Sequence, residues 1–293
     1  MGIAMRAKAV VKVPVRLLKK VLPPAAFERV YDVGYAGYRR AVRAGYAAAG
    51  AVRVLGNTEQ REMIRSIRHV MPWTLVGIGG LEATWRLAKQ MLDRGVPGDF
   101  VELGVARGGC AALMGGVLFR GGAAGEGRRL WLFDSFEGLP DPTAEDFRDG
   151  QSDTGDHVRP LVRGDCLGTL DEVKRLLLEQ EGFPADRVRF VQGWFQDTVP
   201  VWREKIGSIA VLRIDGDWYE STKVCLEGLY DLVSPGGAVI VDDYASCYGC
   251  ERAVHEFLDA RGLSVDIRLD GRGGCWFLKP AGRASRTPVA AMA

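Results

Sequence analysis

Short runs of β-branched and aliphatic residues alternate with longer helical patterns from residue 98 onward. Five of these runs, at 99–105, 130–135, 188–193, 209–214 and 238–241, have the length and composition of buried strands. Strands that alternate with helical patterns are typical of a parallel sheet whose crossover helices cover both faces. The pattern therefore predicts an α/β fold.

Two further extended runs, at 264–269 and 274–278, follow the last of these strands, and a polar segment containing two glycines separates them. Such a short separation indicates a hairpin, which would add an antiparallel edge to a mostly parallel, seven-stranded sheet. This combination is typical of the Rossmann-like fold of class I methyltransferases. We therefore predict that fold class, with helices on both faces of the sheet.

The composition changes outside the alternating pattern. The first 55 residues carry eleven Lys and Arg residues but only two acids. We predict a basic helical extension over 1–60, a catalytic domain over 61–280 and a disordered tail over 281–293. Within the catalytic domain, the segment 137–168 is rich in Asp, Pro, Thr and Gly and is too long for an ordinary connection, so we predict a lid over the site there.

The basic extension contains an apolar stripe beside a charged face over 10–22, which predicts an amphipathic helix. Such a face could lie on a membrane surface or on a second subunit. We expect it to pack on a second copy of the chain rather than on lipid.

Composition and charge narrow the class of protein. A chain of 293 residues that is 47% hydrophobic can bury a large core, and a net charge of +2 gives no general reason to expect a nucleic-acid partner. Six scattered cysteines predict free thiols in a reducing compartment. Neither a long apolar span nor a signal-peptide pattern is seen. We expect a soluble, cytoplasmic protein with a small-molecule substrate.

A candidate cofactor site follows the first strand. Glu102 lies near the end of this strand, and Gly104, Gly108 and Gly109 belong to a glycine-rich turn that opens a helix. The spacing is not G-x-G-x-x-G, which weakens a dinucleotide interpretation. S-adenosylmethionine carries an ammonium and a sulfonium but no phosphate, so it suits an acid such as Glu102. The alternative is a structural strand-to-helix turn in another α/β protein.

The next two strand ends add candidate cofactor contacts. Asp134 ends the second strand and could accept both hydroxyls of an adenosine ribose, although taken alone it could equally cap a helix. Acids at two consecutive strand ends favour the cofactor interpretation. Trp194 follows the third strand and could stack on the adenine, while a tryptophan buried in the core is an equal alternative.

Four carboxylates follow the fourth and fifth strands. Asp215 and Asp217 come after one strand, and Asp242 and Asp243 come after the next. Clustered like charges are costly unless a cation or a proton neutralises them, and oxygen ligands favour a hard ion such as Mg²⁺. Each aspartate alone could be a helix cap or a turn residue. For the group we predict a metal site, with Asp217 as the candidate general base.

Five segments carry a family resemblance. They are GDFVELGVARGG at 98–109, FDSFEGLP at 133–140, GWFQDTVP at 193–200, LRIDGDWYEST at 212–222 and PGGAVIVDDY at 235–244. Over 71–278 the sequence resembles the macrocin O-methyltransferase (TylF) family, whose members methylate sugar hydroxyls of natural products. The resemblance implies an S-adenosylmethionine-dependent enzyme with a glycosylated or sugar substrate, a flexible lid and a homodimer.

The same resemblance implies roles for individual residues. Mg²⁺ or Mn²⁺ would be held by Asp215, Asp242 and Asp243, while Asp217 would act as the base. Ser135 would contact the cofactor beside Glu102 and Asp134, and Thr74 would lie near it. With the turn residues, the predicted cofactor-binding set is Thr74, Glu102, Gly104, Arg107, Gly108, Asp134, Ser135, Gly193, Trp194 and Asp215, and the predicted catalytic residues are Asp217 and Asp215.

Alternatives stay open at this point. A catechol-type methyltransferase would use a similar metal site on a planar diol, and a non-catalytic small-molecule-binding protein could share the fold. Cys247 and Cys250 have the spacing of a zinc half-site, but no second Cys/His pair supports it, and we expect them to shape the acceptor pocket. His157, in the predicted lid, could touch the substrate, whereas for His255 we expect a solvated or packed side chain.

Overall fold

The fold was obtained as a computed structural model that describes residues 15, 18, 21–53, 58–148, 153–155 and 159–281. Most of the predicted amphipathic segment at 10–22 lies outside these residues. The same holds for His157 and for the predicted tail after residue 281.

A seven-stranded sheet forms the centre of the part that the structure describes, with the order β3-β2-β1-β4-β5-β7-β6. Neighbouring strands from β1 to β5 are parallel, while β7 pairs antiparallel with both β5 and β6. The mostly parallel sheet with an antiparallel edge was predicted from the sequence and is confirmed. The strands are β1 Asp99–Leu103, β2 Leu130–Asp134, β3 Val188–Gln192, β4 Ile209–Ile214, β5 Val233–Val241, β6 Arg268–Leu269 and β7 Cys275–Leu278.

The edge of the sheet differs in detail from the prediction. Strand β6 has two residues rather than the six expected, because β7 pairs only with Arg268 and Leu269 and both are exposed. Strand β5 begins five residues earlier than expected, at Val233, where it pairs with Ile209 of β4.

Helices cover both faces of the sheet. Along β1, successive side chains enter different cores, as the two-residue period of a strand requires: Phe100 packs with one cluster and Val101 with the other. No helix in the described ranges is long and apolar enough to cross a membrane. The helices are α1 Pro24–Arg53, α2 Thr58–Val70, α3 Ile78–Asp93, α4 Gly109–Arg120, α5 Leu170–Lys174, α6 Phe195–Trp202, α7 Tyr219–Leu229 and α8 Tyr248–Ala260, and a π-helical turn, Arg175–Gln180, extends α5.

Helix α1 docks onto the segment that precedes α3. Arg39 donates to the backbone carbonyl of Thr74, and Arg43 donates to that of Met71 at 2.6 Å. Tyr46, from the same helix, is buried in the core and donates to Glu82 at 3.2 Å. The described part of the predicted extension therefore packs against the catalytic part of the chain, while the boundary at residue 60 stays a prediction.

Candidate active site

A cavity of about 750 Å³ opens at the carboxyl ends of the parallel strands. Strands β1, β2, β4 and β5 each contribute an acidic residue to its wall, at or just beyond the strand end: Glu102, Asp134, Asp215 and Asp242. Strands β1 and β4 are neighbours, and the chain leaves them toward opposite sides of the sheet. Ligands of open α/β sheets bind at such a crevice, and this volume lies within the range of small-molecule sites.

Gly104 lets the ends of β1 and β4 approach each other. Its φ is +89°, and a Cβ added there would lie 1.7 Å from the carbonyl oxygen of Asp215. The amide of Asp215 in turn donates to the carbonyl of Leu103 at 2.8 Å. Only glycine fits this position, so the glycine of the predicted turn is needed for the backbone geometry of the site.

Three carboxylates converge beyond β4 and β5. Asp215, Asp242 and Asp243 each offer an oxygen, and these three atoms lie within 4.8 Å of one another. Burial and the neighbouring Asp215 raise the pKa of Asp242 to about 7, and burial with Asp217 raises that of Asp243 well above its ordinary value. The Oδ2 atom of Asp243 is buried without a hydrogen-bond partner. A donor set of carboxylate oxygens with an unsatisfied buried atom fits a hard divalent cation.

Asp217 sits in a strained turn beside these three residues. Its φ is +58°, a left-handed conformation that non-glycine residues rarely adopt. The side chain is 8% exposed, and the Cys247 thiol lies 4.0 Å from its Oδ1. Burial, and after it the charge of Asp215, raises the pKa of Asp217 well above its ordinary value. A buried carboxylate of raised proton affinity on the cavity wall can act as a general base when it is ionised.

Arg213, which was not predicted from the sequence, lies behind the acidic wall of the cavity and contacts three of its carboxylates. Its side chain is fully buried on β4, and it donates to Glu102 at 3.1 Å, to Asp215 at 2.8 Å and to Asp242 at 2.7 Å. The protein thus supplies one cation to its own acidic cluster, so part of the charge that four neighbouring carboxylates carry is balanced without a metal. The available signal was a single charged residue within an otherwise apolar strand.

Glu102 is oriented by this arginine. Its Oε1 accepts from Arg213, whereas its Oε2 is buried and has no hydrogen-bond partner. Burial raises the pKa of Glu102 to about 8, although the positive charge of Arg213 acts in the opposite direction. An unsatisfied carboxylate oxygen beside the cavity fits the ammonium group of S-adenosylmethionine.

Asp134 organises the glycine-rich turn. Its Oδ2 accepts from the amides of Val105 at 2.6 Å and Ala106 at 3.0 Å, and its Oδ1 accepts from that of Phe136 at 2.7 Å. A carboxylate has about four lone-pair sites, so these three bonds leave limited capacity for a ribose. The ribose contact stays a prediction, while the backbone role is what the structure shows.

The other predicted cofactor residues divide into two groups. Thr74, Ser135 and Trp194 line the cavity wall, together with the residues described above. Arg107, Gly108 and Gly193 are not on that wall. Arg107 is exposed and lies over the ring of Trp73, Gly108 has φ +84° and faces Val173, and Gly193 faces Thr198.

Asp270 is a second residue that the sequence reasoning missed. It lies at the turn between β6 and β7, and its Oδ1 accepts from the amides of Arg272, Gly273 and Gly274. Its charge contributes to the raised pKa of Asp242. The side chain lines the cavity from the antiparallel edge of the sheet, far from the other acids in sequence.

The described parts of the predicted lid pack over the turn between β4 and α7. Asp146 is fully buried and accepts from the amide of Tyr219, the first residue of α7, at 2.7 Å. The indole of Trp218 donates to the carbonyl of Pro140 at 3.0 Å, and the amide of Tyr248 donates to that of Thr154 at 2.9 Å. These three contacts anchor the segment beside Asp217.

The cysteines and histidines have mostly structural surroundings. All six cysteines lie within the described residues, and none of them forms a disulfide there. Cys250, a residue of α8, is buried in one of the two cores, and Cys247 is buried beside Asp217. His255 shares a hydrogen bond of 2.8 Å with the hydroxyl of Tyr244.

Comparison with known proteins gives one consistent result. The profile of a family described as Macrocin-O-methyltransferase (TylF) matches residues 17–279. The 8-demethyl-8-(2,3-dimethoxy-alpha-L-rhamnosyl)-tetracenomycin-C 4'-O-methyltransferase of Streptomyces olivaceus is 40% identical over 217 residues, which are 74% of this chain and 79% of that protein.

Two further comparisons, one with a sequence and one with a solved structure, also give O-methyltransferases. The demethyldecarbamoylnovobiocin O-methyltransferase of Streptomyces niveus is 41% identical over 204 residues, 69% of this chain and 74% of that protein. The solved structure of the O-methyltransferase NovP superposes with a TM-score of 0.60 at 37% identity and covers 71% of this chain and 82% of its own.

Proposed function

The chain belongs to the macrocin O-methyltransferase (TylF) family and is an S-adenosylmethionine-dependent O-methyltransferase, and on that premise we propose that its acceptor is a sugar hydroxyl of a glycosylated natural product. We propose further that the reaction requires Mg²⁺ or Mn²⁺.

One observation carries this proposal. The oxygens of Asp215, Asp242 and Asp243 converge within 4.8 Å in the cavity that Asp217 and Glu102 also line. A cofactor-binding acid, a set of metal ligands and a base thereby share one small-molecule-sized space. A protein that only binds a small molecule has no physical reason to bury so many neighbouring acids.

The residues then have separate tasks. Asp215, Asp242 and Asp243 would hold the divalent ion, which when bound lowers the pKa of a coordinated hydroxyl. Asp217 accepts the proton from the acceptor hydroxyl as its oxygen attacks the methyl carbon, and S-adenosylhomocysteine leaves.

The cofactor would be held beside these residues, by acids at the ends of β1 and β2. The Oε2 atom of Glu102 would accept from the cofactor ammonium, and Asp134 and Ser135 would contact the nucleoside. Acids outnumber bases on the cavity wall, which favours a cationic cofactor over a phosphate-bearing dinucleotide.

The sugar assignment is supported by the name of the Streptomyces olivaceus relative, which specifies 4'-O-methylation of a rhamnosylated compound. The catechol-type alternative would use the same metal site, so only the acceptor separates the two activities. The predicted homodimer and cytoplasmic location stay predictions.

An acceptor panel tests the proposal. The purified enzyme is incubated with methyl-labelled S-adenosylmethionine and Mg²⁺, together with glycosylated polyketide and aminocoumarin acceptors, their aglycones, or a simple catechol. We expect label on the sugar of a glycosylated compound and none on its aglycone, with loss of transfer in excess chelator. Transfer to the catechol alone would favour the alternative, and full activity in chelator would exclude the metal requirement.

A further inference from the structure

Within the described part of the chain, the hydrogen bonds of the Arg213 side chain all go to carboxylates. Its two terminal nitrogens contact Glu102, Asp215 and Asp242, while its Nε has no hydrogen-bond partner. These carboxylates come from β1, from the residue after β4 and from the residue after β5. The arginine therefore ties three neighbouring strands together at the floor of the cavity.

The three carboxylates have different tasks in the proposed function. Glu102 belongs to the cofactor half of the cavity, whereas Asp215 and Asp242 belong to the metal set. A single nitrogen, Nη1, is shared between Glu102 and Asp215. Because a guanidinium is planar and rigid, the position of one of these carboxylates restricts the position of the others.

Asp243, the third proposed metal ligand, can be changed as a control for Arg213. Asp243 makes no contact with Arg213 in the described residues, and its Oδ2 is unsatisfied. A change at Asp243 therefore affects the metal set without touching the arginine. A change at Glu102 affects the cofactor half directly.

We propose that Arg213 is a positioning residue for both halves of the site, holding Asp215 and Asp242 in ligating geometry and Glu102 in cofactor-binding geometry through one guanidinium. This inference rests on the proposed function, because it assigns Asp215 and Asp242 to a metal. It predicts that loss of Arg213 weakens metal binding and cofactor binding together.

Calorimetry of the full chain with Mn²⁺ and, separately, with S-adenosylhomocysteine tests the inference. For Arg213→Lys, which keeps the charge but cannot span three carboxylates, we expect both affinities to fall by about 10–100-fold, as for groups that orient metal ligands. Arg213→Met, which also removes the charge, should lower both affinities further. The spectrum of bound Mn²⁺ in electron paramagnetic resonance should also change, which a general loss of stability would not cause.

Three control variants define the pattern. Asp243→Asn should weaken Mn²⁺ binding and leave S-adenosylhomocysteine binding unchanged, whereas Glu102→Gln should weaken S-adenosylhomocysteine binding more than Mn²⁺ binding. Arg128 donates to the carbonyls of Val96 at 2.7 Å and Gly98 at 3.0 Å, at the opposite end of the sheet, so Arg128→Lys should leave both affinities unchanged even if it lowers the melting temperature.

The outcomes separate the two proposals. If the wild-type chain binds Mn²⁺ but folded Arg213→Lys retains either affinity at the wild-type level, the positioning role is overturned while the proposed function stands. If the wild-type chain binds no Mn²⁺, the metal part of the proposed function fails and the inference fails with it. Should Arg213→Met not fold, Arg213→Lys still decides.

Discussion

At the scale of single residues, Asp217 combines a left-handed backbone with burial and a raised pKa. A non-glycine residue in this conformation costs of order 1–3 kcal/mol and persists where the surroundings over-determine it, often at functional sites. The tight turn after β4 aims this carboxylate at the cavity. Its strained backbone and its place on the cavity wall are therefore both features of a functional residue.

Asp217→Asn should slow methyl transfer by roughly 10²–10⁴-fold while Mn²⁺ affinity stays close to wild type, because a base is lost but no proposed ligand is. Single-turnover assays and calorimetry measure the two effects. The matched comparison is Asp242→Asn, which should lower metal affinity. Near-normal turnover of Asp217→Asn, with turnover lost in Asp215→Asn while metal is still bound, would move the base assignment to Asp215.

Glu102 should make the stability of the ligand-free protein fall as pH rises. Its pKa is about 8 in the folded chain against an ordinary value of 4.5, so between these limits the folded state binds more protons than the unfolded state. The contribution of Glu102 to the free energy of unfolding is largest near pH 4.5 and declines toward pH 8.

Melting temperatures of the wild type and Glu102→Gln at pH 5, 6, 7 and 8 check this expectation, since glutamine does not titrate. The wild type should lose more stability than the variant across this series. Parallel curves for the two proteins would show that Glu102 is not the titrating group.

The acids at the strand ends could be predicted because parallel strands place their carboxyl ends at one edge of a sheet. The role of Arg213 could not be predicted. The partners of a charged residue inside an apolar strand are known only once the register of the neighbouring strands is known. Asp270 was also missed, because only the antiparallel pairing of β7 with β5 brings its turn beside Asp242.

At the scale of elements, α7 depends on a residue outside itself. Trp218 precedes the helix and makes no side-chain cap, while Asp146 from the predicted lid segment accepts from the amide of Tyr219, the first helical residue. This segment is therefore joined to the same turn that presents Asp217. Its polar composition indicated a lid, but this buried anchor depends on tertiary contacts that composition does not reveal.

Asp146→Ala should lower stability by about 0.5–2 kcal/mol, as for a lost helix cap, and should raise the acceptor KM more than it lowers kcat. Denaturant unfolding and steady-state kinetics measure these effects. Asp146→Asn keeps an oxygen acceptor, so its stability and its acceptor KM should both lie close to those of the wild type. Equal kinetics for Asp146→Ala and the wild type would show that this anchor does not influence acceptor binding.

At the scale of the whole molecule, the acidic cavity is a site where bound cations should stabilise the fold. Burial of several carboxylates opposes ionisation, and one internal guanidinium balances only part of their charge. A ligand that binds only the folded state at about 100 times its Kd adds roughly 2.7 kcal/mol of stability.

Saturating Mg²⁺ or Mn²⁺ should therefore raise the melting temperature by roughly 5–10 °C, given about 2–4 °C per kcal/mol for a chain of this size. Differential scanning fluorimetry with and without chelator measures the shift. Asp243→Asn, which lacks one proposed ligand, should show a smaller rise. An equal rise in the variant would place the stabilising ion elsewhere.

The docking of α1 also bears on when the site can form during synthesis. Arg272, in the turn between β6 and β7, donates to the hydroxyl of Tyr38 at 3.3 Å across 234 residues of sequence, and Arg39 holds the segment containing Thr74. Helix α1 is synthesised well before its partner turn at Arg272, since 234 residues separate Tyr38 from Arg272. In a nascent chain the docking of α1 is therefore expected to be completed only after the turn between β6 and β7 is released.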